Sequence, residues 1–283
     1  MNKPVVVGVD GSRPGFDAVR WAAHEARTRD LPLRLVHAEL RLPGDVPDPE
    51  GRTRKALHEQ AWQWLHKAAD IARDVDPDLR LDVHVEVADP APLLVAESVD
   101  AELVVLASRG LGGFTSMLLG STAIAVTSRG ACPVVVVRGD RRSGPVVCGV
   151  EGDSPTVLTH AFEQAAARGV PLVLVHTWHA PPEPLADLAG IDLAEQDAEH
   201  GGNLAAAVAP WRDKYPDIPL ELVVARGNPA RALLDRARDA ALLVVGCRGR
   251  GALTGLLLGS TSHALLHHAP CPVLVVRATV EDL

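Results

Sequence analysis

GACPVVVVR at residues 130–138 returns as APCPVLVVR at 269–277. The two cysteines, Cys132 and Cys271, stand 139 positions apart. The same offset recurs away from these runs. Arg109-Gly110 returns as Arg248-Gly249, Leu118–Thr122 as Leu257–Thr261, and Leu35–His37 as Leu174–His176, while Asp89-Pro90 is answered by Asn228-Pro229. The openings GVDG at 8–11 and GVEG at 149–152 are 141 apart, so one two-residue length difference falls between the first strand and the second. An offset kept over most of the chain means tandem domains. The polar stretch GDRRSG at 139–144 separates two valine-rich runs, which places the domains at 1–140 and 144–283.

Each half alternates strand and helix. Val5–Val9 is a continuous β-branched apolar run, the pattern of a strand covered on both faces. Ala18, Val19, Ala22, Ala23 and Ala26 then fall on one side of a helix, and Leu33–His37 forms a second strand. Over 54–75 the stripe Leu57, Ala61, Trp64, Leu65, Ala68 and Ala72 predicts a helix packed on the core, with Trp62 off the stripe. Residues 81–87 alternate and read as a strand near an edge. A short helix over 92–99, a strand over 103–107, a helix over about 121–129 and a strand over 133–138 complete the unit, and the second half repeats the order. The fold class is α/β: two tandem Rossmann-like domains, each a five-stranded mainly parallel sheet flanked by helices. In such sheets ligands bind beyond the carboxyl ends of the strands, where strand order reverses.

Composition narrows the function. The chain has 283 residues, 47% of them apolar and only 3% aromatic, so two cores of Val, Leu and Ala are available. A net charge of -8 argues against nucleic-acid binding. No apolar run approaches the about 18 residues of a membrane span, and the N-terminus does not read as a signal peptide, so a cytoplasmic protein is expected. None of the four cysteines forms a CxxC pair. Cys132 and Cys148 read as packed thiols; Cys247, inside a glycine loop, is open to oxidation if exposed.

That loop, GCRGRGALTGLLLGS at 246–260, lies between a strand and a helix. Glycines let a backbone approach a ligand, exposed amides form an anion-binding concavity, and the following helix N-terminus adds its dipole. Ser260 and Thr261 offer hydroxyls and Arg248 a charge-assisted contact. The bland alternative is a turn with Ser260 as N-cap. GxxxxGK[ST], GxGxxG after the first strand, and the Gly-x-Ser-x-Gly elbow are absent, as are the Ser-Gly-Gly-x-Asp-Ser loop and His-x-Gly-His pair of adenylating and related enzymes.

Gly246-x2-Gly249-x9-Gly259-Ser260 resembles the ATP-binding signature G-x2-G-x9-G-[ST] of the universal stress protein family. The acidic residue after strand one, the His at the end of strand two, the Asp/Asn-Pro before the third helix and the Cys-Pro-Val final strand are similar to that family as well, in two copies spanning nearly the whole chain. The resemblance implies ATP as ligand, Mg²⁺ on its phosphates, and a regulatory role in the stress response. In the first half it implies adenine near Val9 and Ala38, Asp10 beside the adenosine or metal, phosphates near Arg109, Gly110, Gly120, Ser121 and Thr122, and Ala107 at the first motif position. In the second half the counterparts are Val150, Glu151, Thr177, Gly246, Arg248, Gly249, Gly259, Ser260 and Thr261. Each half departs once: Ala107 replaces the first glycine, and Glu151 replaces the aspartate. Those departures motivate a rival reading, an interaction module that needs no nucleotide. No base or water-positioning residue for phosphoryl transfer is evident, so no catalytic residue is assigned and any ATP hydrolysis is expected to be slow. His263 and His267 share metal-ligand spacing but have no counterparts in the first half, so no metal site is assigned to them. His37 and His176 read as packing residues, and Ser12 or Asp153 as caps of the first helices. The family also implies pairing through the last strands: Val134–Val137 and Val273–Val276 are candidate edges for an intramolecular pseudo-dimer and a homo-oligomer.

Overall fold

The computed structural model describes residues 2–42, 48, 50–110, 119–139, 143–152, 154–247 and 258–277. The chain divides into two compact units, Met1–Arg138 and Gly139–Leu283.

In the first unit, β1 (Val5–Gly8), α1 (Arg13–Thr28), β2 (Leu33–Glu39), α2 (Arg52–Val75), β3 (Leu81–Val87), α3 (Pro90–Glu97), β4 (Leu103–Ala107), α4 (Ser121–Arg129) and β5 (Val134–Val137) follow in order. Strand order is β3-β2-β1-β4-β5, with every neighbouring pair parallel. The first three strands run outward to one side of β1, and β4 then starts the other side. The reversal therefore lies between β1 and β4, and the loops at their carboxyl ends diverge there. Val5, Val6, Val7, Val104 and Val105 are fully buried, as expected for central strands covered on both faces. The α1 stripe Ala18, Val19, Ala22, Ala23 and Ala26 is wholly buried against them. β3 lies at the edge, and its alternating sequence leaves only half-buried and exposed side chains.

The second unit repeats this with β6 (Val146–Val150), α5 (Pro155–Arg168), β7 (Leu172–Trp178), α6 (Glu183–Ala189), α7 (Leu193–Lys214), β8 (Leu220–Arg226), α8 (Pro229–Arg236), β9 (Leu242–Gly246), α9 (Ser260–His268) and β10 (Val273–Val276). Its order is β8-β7-β6-β9-β10, again parallel throughout. α6 lies between β7 and the long helix, and most of the matching segment of the first unit, 44–50, lies outside the described residues. The two-residue difference appears in the first helix, 16 residues in α1 and 14 in α5. α5 stops at Gly169, whose φ of 63° is the left-handed C-terminal cap that glycine adopts without strain. The short third helix begins at Pro90, two residues before the sequence reading, because proline suits the first helical turn.

All four thiols are buried: Cys132 is 9% exposed, Cys247 3%, and Cys148 and Cys271 are fully covered. Burial pushes the Cys132 thiol up to about 12 and raises that of Cys148 as well. Cys247 is therefore not the exposed, oxidisable thiol that its place in the glycine loop suggested. Because the thiolate is the reactive form, the native protein is expected to release almost no colour from an aromatic disulfide reagent, and four equivalents after unfolding. A fast equivalent in the native state would show that one of these sites opens.

Candidate functional site

At the end of β1 the chain continues the ladder for one more bond, Val9 N–H to Val36 carbonyl at 2.8 Å, and then turns. Asp10 Oδ1 accepts from the Ser12 amide at 3.0 Å and from the Ser12 hydroxyl at 2.7 Å. The same hydroxyl oxygen accepts from Gly15 N–H at 3.0 Å and so caps α1. Ser12 is thus the cap of the first helix; Asp153 lies outside the described residues, and Ser154 stands at the start of α5. The Asp10 carboxylate is wedged between two glycines. A Cβ at Gly15 would lie 2.3 Å from Oδ1, and one at Gly110 2.5 Å from Oδ2. Glycine at 110 is what lets the β4 loop close onto this carboxylate.

The β4 loop leaves and returns at one place. Ser108 N–H bonds Val137 carbonyl at 3.1 Å, and Gly120 N–H bonds Ser108 carbonyl at 2.9 Å. Gly120 is the N-cap of α4, and among the described residues no side chain caps this helix end. Its first amides therefore face the space beside Ser108 and Gly110, with the helix dipole behind them, an arrangement suited to an anion.

These loops open onto a cleft of about 720 Å³, within the usual size of small-molecule sites. It has two chemically distinct ends. One is polar: Arg109, Gly110, Gly120, Ser121 and Thr122, beside Asp10 and Ala107. The other lies between β2 and α2: Val9, His37, Ala38, Leu57 and Trp64. There the Trp64 ring meets the His37 ring edge-on, 5.4 Å between centroids, and His37 Nδ1 donates to Val9 carbonyl at 2.6 Å. The floor toward α3 is Pro90, Leu94 and Leu106. All nine first-half residues singled out from the sequence line this one cleft. Sequence reasoning missed Trp64 and Leu57 as lining: both belong to the apolar stripe of α2, but they are half-buried, whereas Ala61, Leu65, Ala68 and Ala72 are fully covered. It also missed Gln60 and Glu39.

The second unit keeps the frame and changes the walls. Cys247 N–H bonds Val276 carbonyl at 2.7 Å and Gly259 N–H bonds Cys247 carbonyl at 2.9 Å, the same exit and return. Gly259, not Ser260, is the N-cap of α9, again without a side-chain cap among the described residues; Ser260 and Thr261 begin the helix. Gly246 ends β9, Val150 ends β6 and Thr177 lies on β7 opposite Ala225. Arg248 and Gly249 lie outside the described residues. Glu151 is exposed; its carbonyl, not its carboxylate, accepts from Ser154. Trp178 stands at the position of Glu39 and stacks on His200 at 4.9 Å. His176 Nε2 and His200 Nδ1 are 3.2 Å apart, and Trp178 Nε1 donates to Asp197, which pairs with Arg226 at 2.6 Å. That pair holds the Asp197 carboxyl below the usual range: the Arg226 hydrogen bond contributes most, then Trp178. Asn203 takes the place of Trp64 at the 139-residue offset. The His263 and His267 rings lie 4.6 Å apart, and among the described residues no three His, Cys, Asp or Glu side chains converge as metal ligands. Among the described residues no helix is long and apolar enough to cross a membrane.

Comparison with known proteins agrees with this architecture. The sequence model of the universal stress protein family matches residues 1–138 and again 144–277. A universal stress protein of Mycobacterium tuberculosis is 38% identical over 297 residues, covering 98% of this chain and 99% of its own. One from Mycolicibacterium smegmatis is 36% identical over 289 residues, covering 96% of each. The crystal structure of a universal stress protein from Archaeoglobus fulgidus shares the fold, with a TM-score of 0.71 at 18% identity over 99% of this chain and 97% of that one. The chain belongs to the universal stress protein family, as a tandem two-domain member.

Proposed function

We propose that the first domain binds ATP and that the protein is a nucleotide-responsive regulator in the stress response rather than a dedicated catalyst. The observation that carries this reading is one cleft with an aromatic, apolar end against α2 and an uncapped helix N-terminus at the other. The apolar end suits a base and the α4 amides suit phosphates. Asp10 has one oxygen committed to Ser12 and the other beside Gly110, so it offers one oxygen toward a Mg²⁺ whose remaining ligands are phosphate and water. Four buried thiols, none of them in a disulfide among the described residues, fit a reducing compartment, which supports placement in the cytoplasm. The walls of the second domain differ at Trp178 and Asn203, and the reading is therefore one tight site per chain, in the first domain.

Acid extraction of the purified protein followed by chromatography tests the reading, together with ATP titration by calorimetry. About one tight site per chain is expected. Saturating ATP is expected to raise the first domain's melting temperature: a ligand at a hundred times its Kd stabilises the native state by about 2.7 kcal/mol. No extracted nucleotide, no heat of binding and an unmoved melting curve together would favour the nucleotide-independent module.

A further inference from the structure

We propose that Glu39 selects the base, its second carboxylate oxygen accepting from an exocyclic amino group, so that the cleft takes adenine in preference to a purine with a carbonyl in that place. The inference rests on the reading of the cleft as a nucleotide site. Glu39 is the last residue of β2, lines the cleft and is only 7% exposed. His58 on α2 meets its Oε2 through Nδ1 at 2.9 Å. The His58 tautomer is set from behind: Trp62 Nε1–H, which can only donate, points to His58 Nε2 at 3.0 Å. The His58 proton is thus on Nδ1 and directed at Oε2. Among the described residues nothing bonds Oε1. A carboxylate on the cleft wall with one oxygen left uncommitted can complete its hydrogen bonding with a donor on a ligand.

Sheet order decides which part of a nucleotide reaches it. The anion-binding amides of α4 follow β4, β1 is next in the sheet, and β2 lies beyond β1. Two strand spacings are roughly 10 Å. A carboxylate ending the second strand holds ribose hydroxyls when phosphates sit on the first strand's loop. Here the phosphate end is one strand farther away, so the ribose crosses β1 and the base arrives at β2, beside Glu39, His37 and Trp64. Adenine presents an amino group; hypoxanthine presents a carbonyl, which would set two acceptors against each other.

The test compares ATP, ITP and 2′-deoxy-ATP binding by calorimetry in the full chain. The unsubstituted protein is expected to bind ATP about tenfold to a hundredfold more tightly than ITP, the worth of one charge-assisted hydrogen bond. Glu39→Ala should bring that ratio to within about threefold. Glu39→Gln keeps the shape, turns its oxygen to His58 and its NH₂ to the base, and should invert the preference toward ITP. The ratio of ATP to 2′-deoxy-ATP should stay unchanged in both variants. An ATP/ITP ratio that neither substitution moves, or a loss that falls on the 2′-hydroxyl comparison instead, overturns the assignment. Equal binding of ATP and ITP by the unsubstituted protein overturns it while leaving the nucleotide site intact; no binding of any of the three removes both.

Discussion

Gly120→Asp is expected to remove ATP binding and leave the fold as stable as before, or slightly more so. Gly120 is the α4 N-cap with φ −64° and ψ 142°, a conformation open to any L residue. Among the described residues a Cβ there has only Ser108 carbonyl nearby, at 3.7 Å, an ordinary contact. Aspartate is among the best N-cap residues, and its charge complements the helix dipole, so the isolated protein gains up to about 1 kcal/mol. The ligand sees the opposite. The new carboxylate accepts from the amides of Thr122 or Ala123 that would otherwise hold phosphate, and it opposes the triphosphate charge. Loss of two such charge-assisted bonds corresponds to an affinity drop of at least about a hundredfold. Calorimetry and a melting curve on the same sample separate the two effects. Gly259→Asp is the control: Gly259 is the α9 N-cap, with φ −70° and ψ 155°, and also lacks a side-chain cap among the described residues. ATP affinity retained within threefold in Gly120→Asp, or lost only in Gly259→Asp, would move the site out of the first domain.

The sheet, the repeat and the polar end of the cleft are legible in the sequence because each follows from a local rule. Valine runs make buried strands, glycines free amides, and a constant offset means duplication. Strand boundaries such as 81–87 and 103–107 agree with the structure to the residue. The apolar end of the cleft is not legible in the same way. Leu57, Ala61, Trp64, Leu65, Ala68 and Ala72 form one helical stripe, and periodicity shows only that this face turns away from water. Whether water is excluded by the sheet or by a ligand depends on how far α2 stands from β2 at each turn. Ala61 and Leu65 meet the sheet; Leu57 and Trp64, toward the carboxyl ends of the strands, reach past it. Glu39 was hidden for another reason. A lone acidic residue ending a strand is ordinary, and its meaning comes from His58 and Trp62, which a helical turn of four residues places behind it.

Gly11→Ala is expected to cost about 2–5 kcal/mol, the sum of a left-handed backbone penalty and an overpacked contact. Gly11 has φ +79°, and a Cβ built on it would lie 2.2 Å from Trp64 Cε2 and 2.3 Å from Cδ2. The indole must move, and it cannot move alone, because His37 is edge-on to it and hydrogen-bonded to Val9. The same substitution therefore shifts the apolar wall of the cleft and should weaken ATP binding as well as the fold. Gly51→Ala separates the two costs: its φ is +65°, yet among the described residues nothing lies within 4 Å of a Cβ there, so only the backbone penalty of about 1–2 kcal/mol is expected. Adding Trp64→Leu to Gly11→Ala should recover the steric part of the stability while leaving binding impaired, since the smaller side chain clears the Cβ and no longer walls the cleft. Residues in contact are where such non-additivity appears. Denaturant unfolding of the two single variants and the double variant measures the coupling. If Gly11→Ala costs no more than Gly51→Ala, the indole does not rest on this turn, and the rigid wall assigned to Trp64 is lost with it.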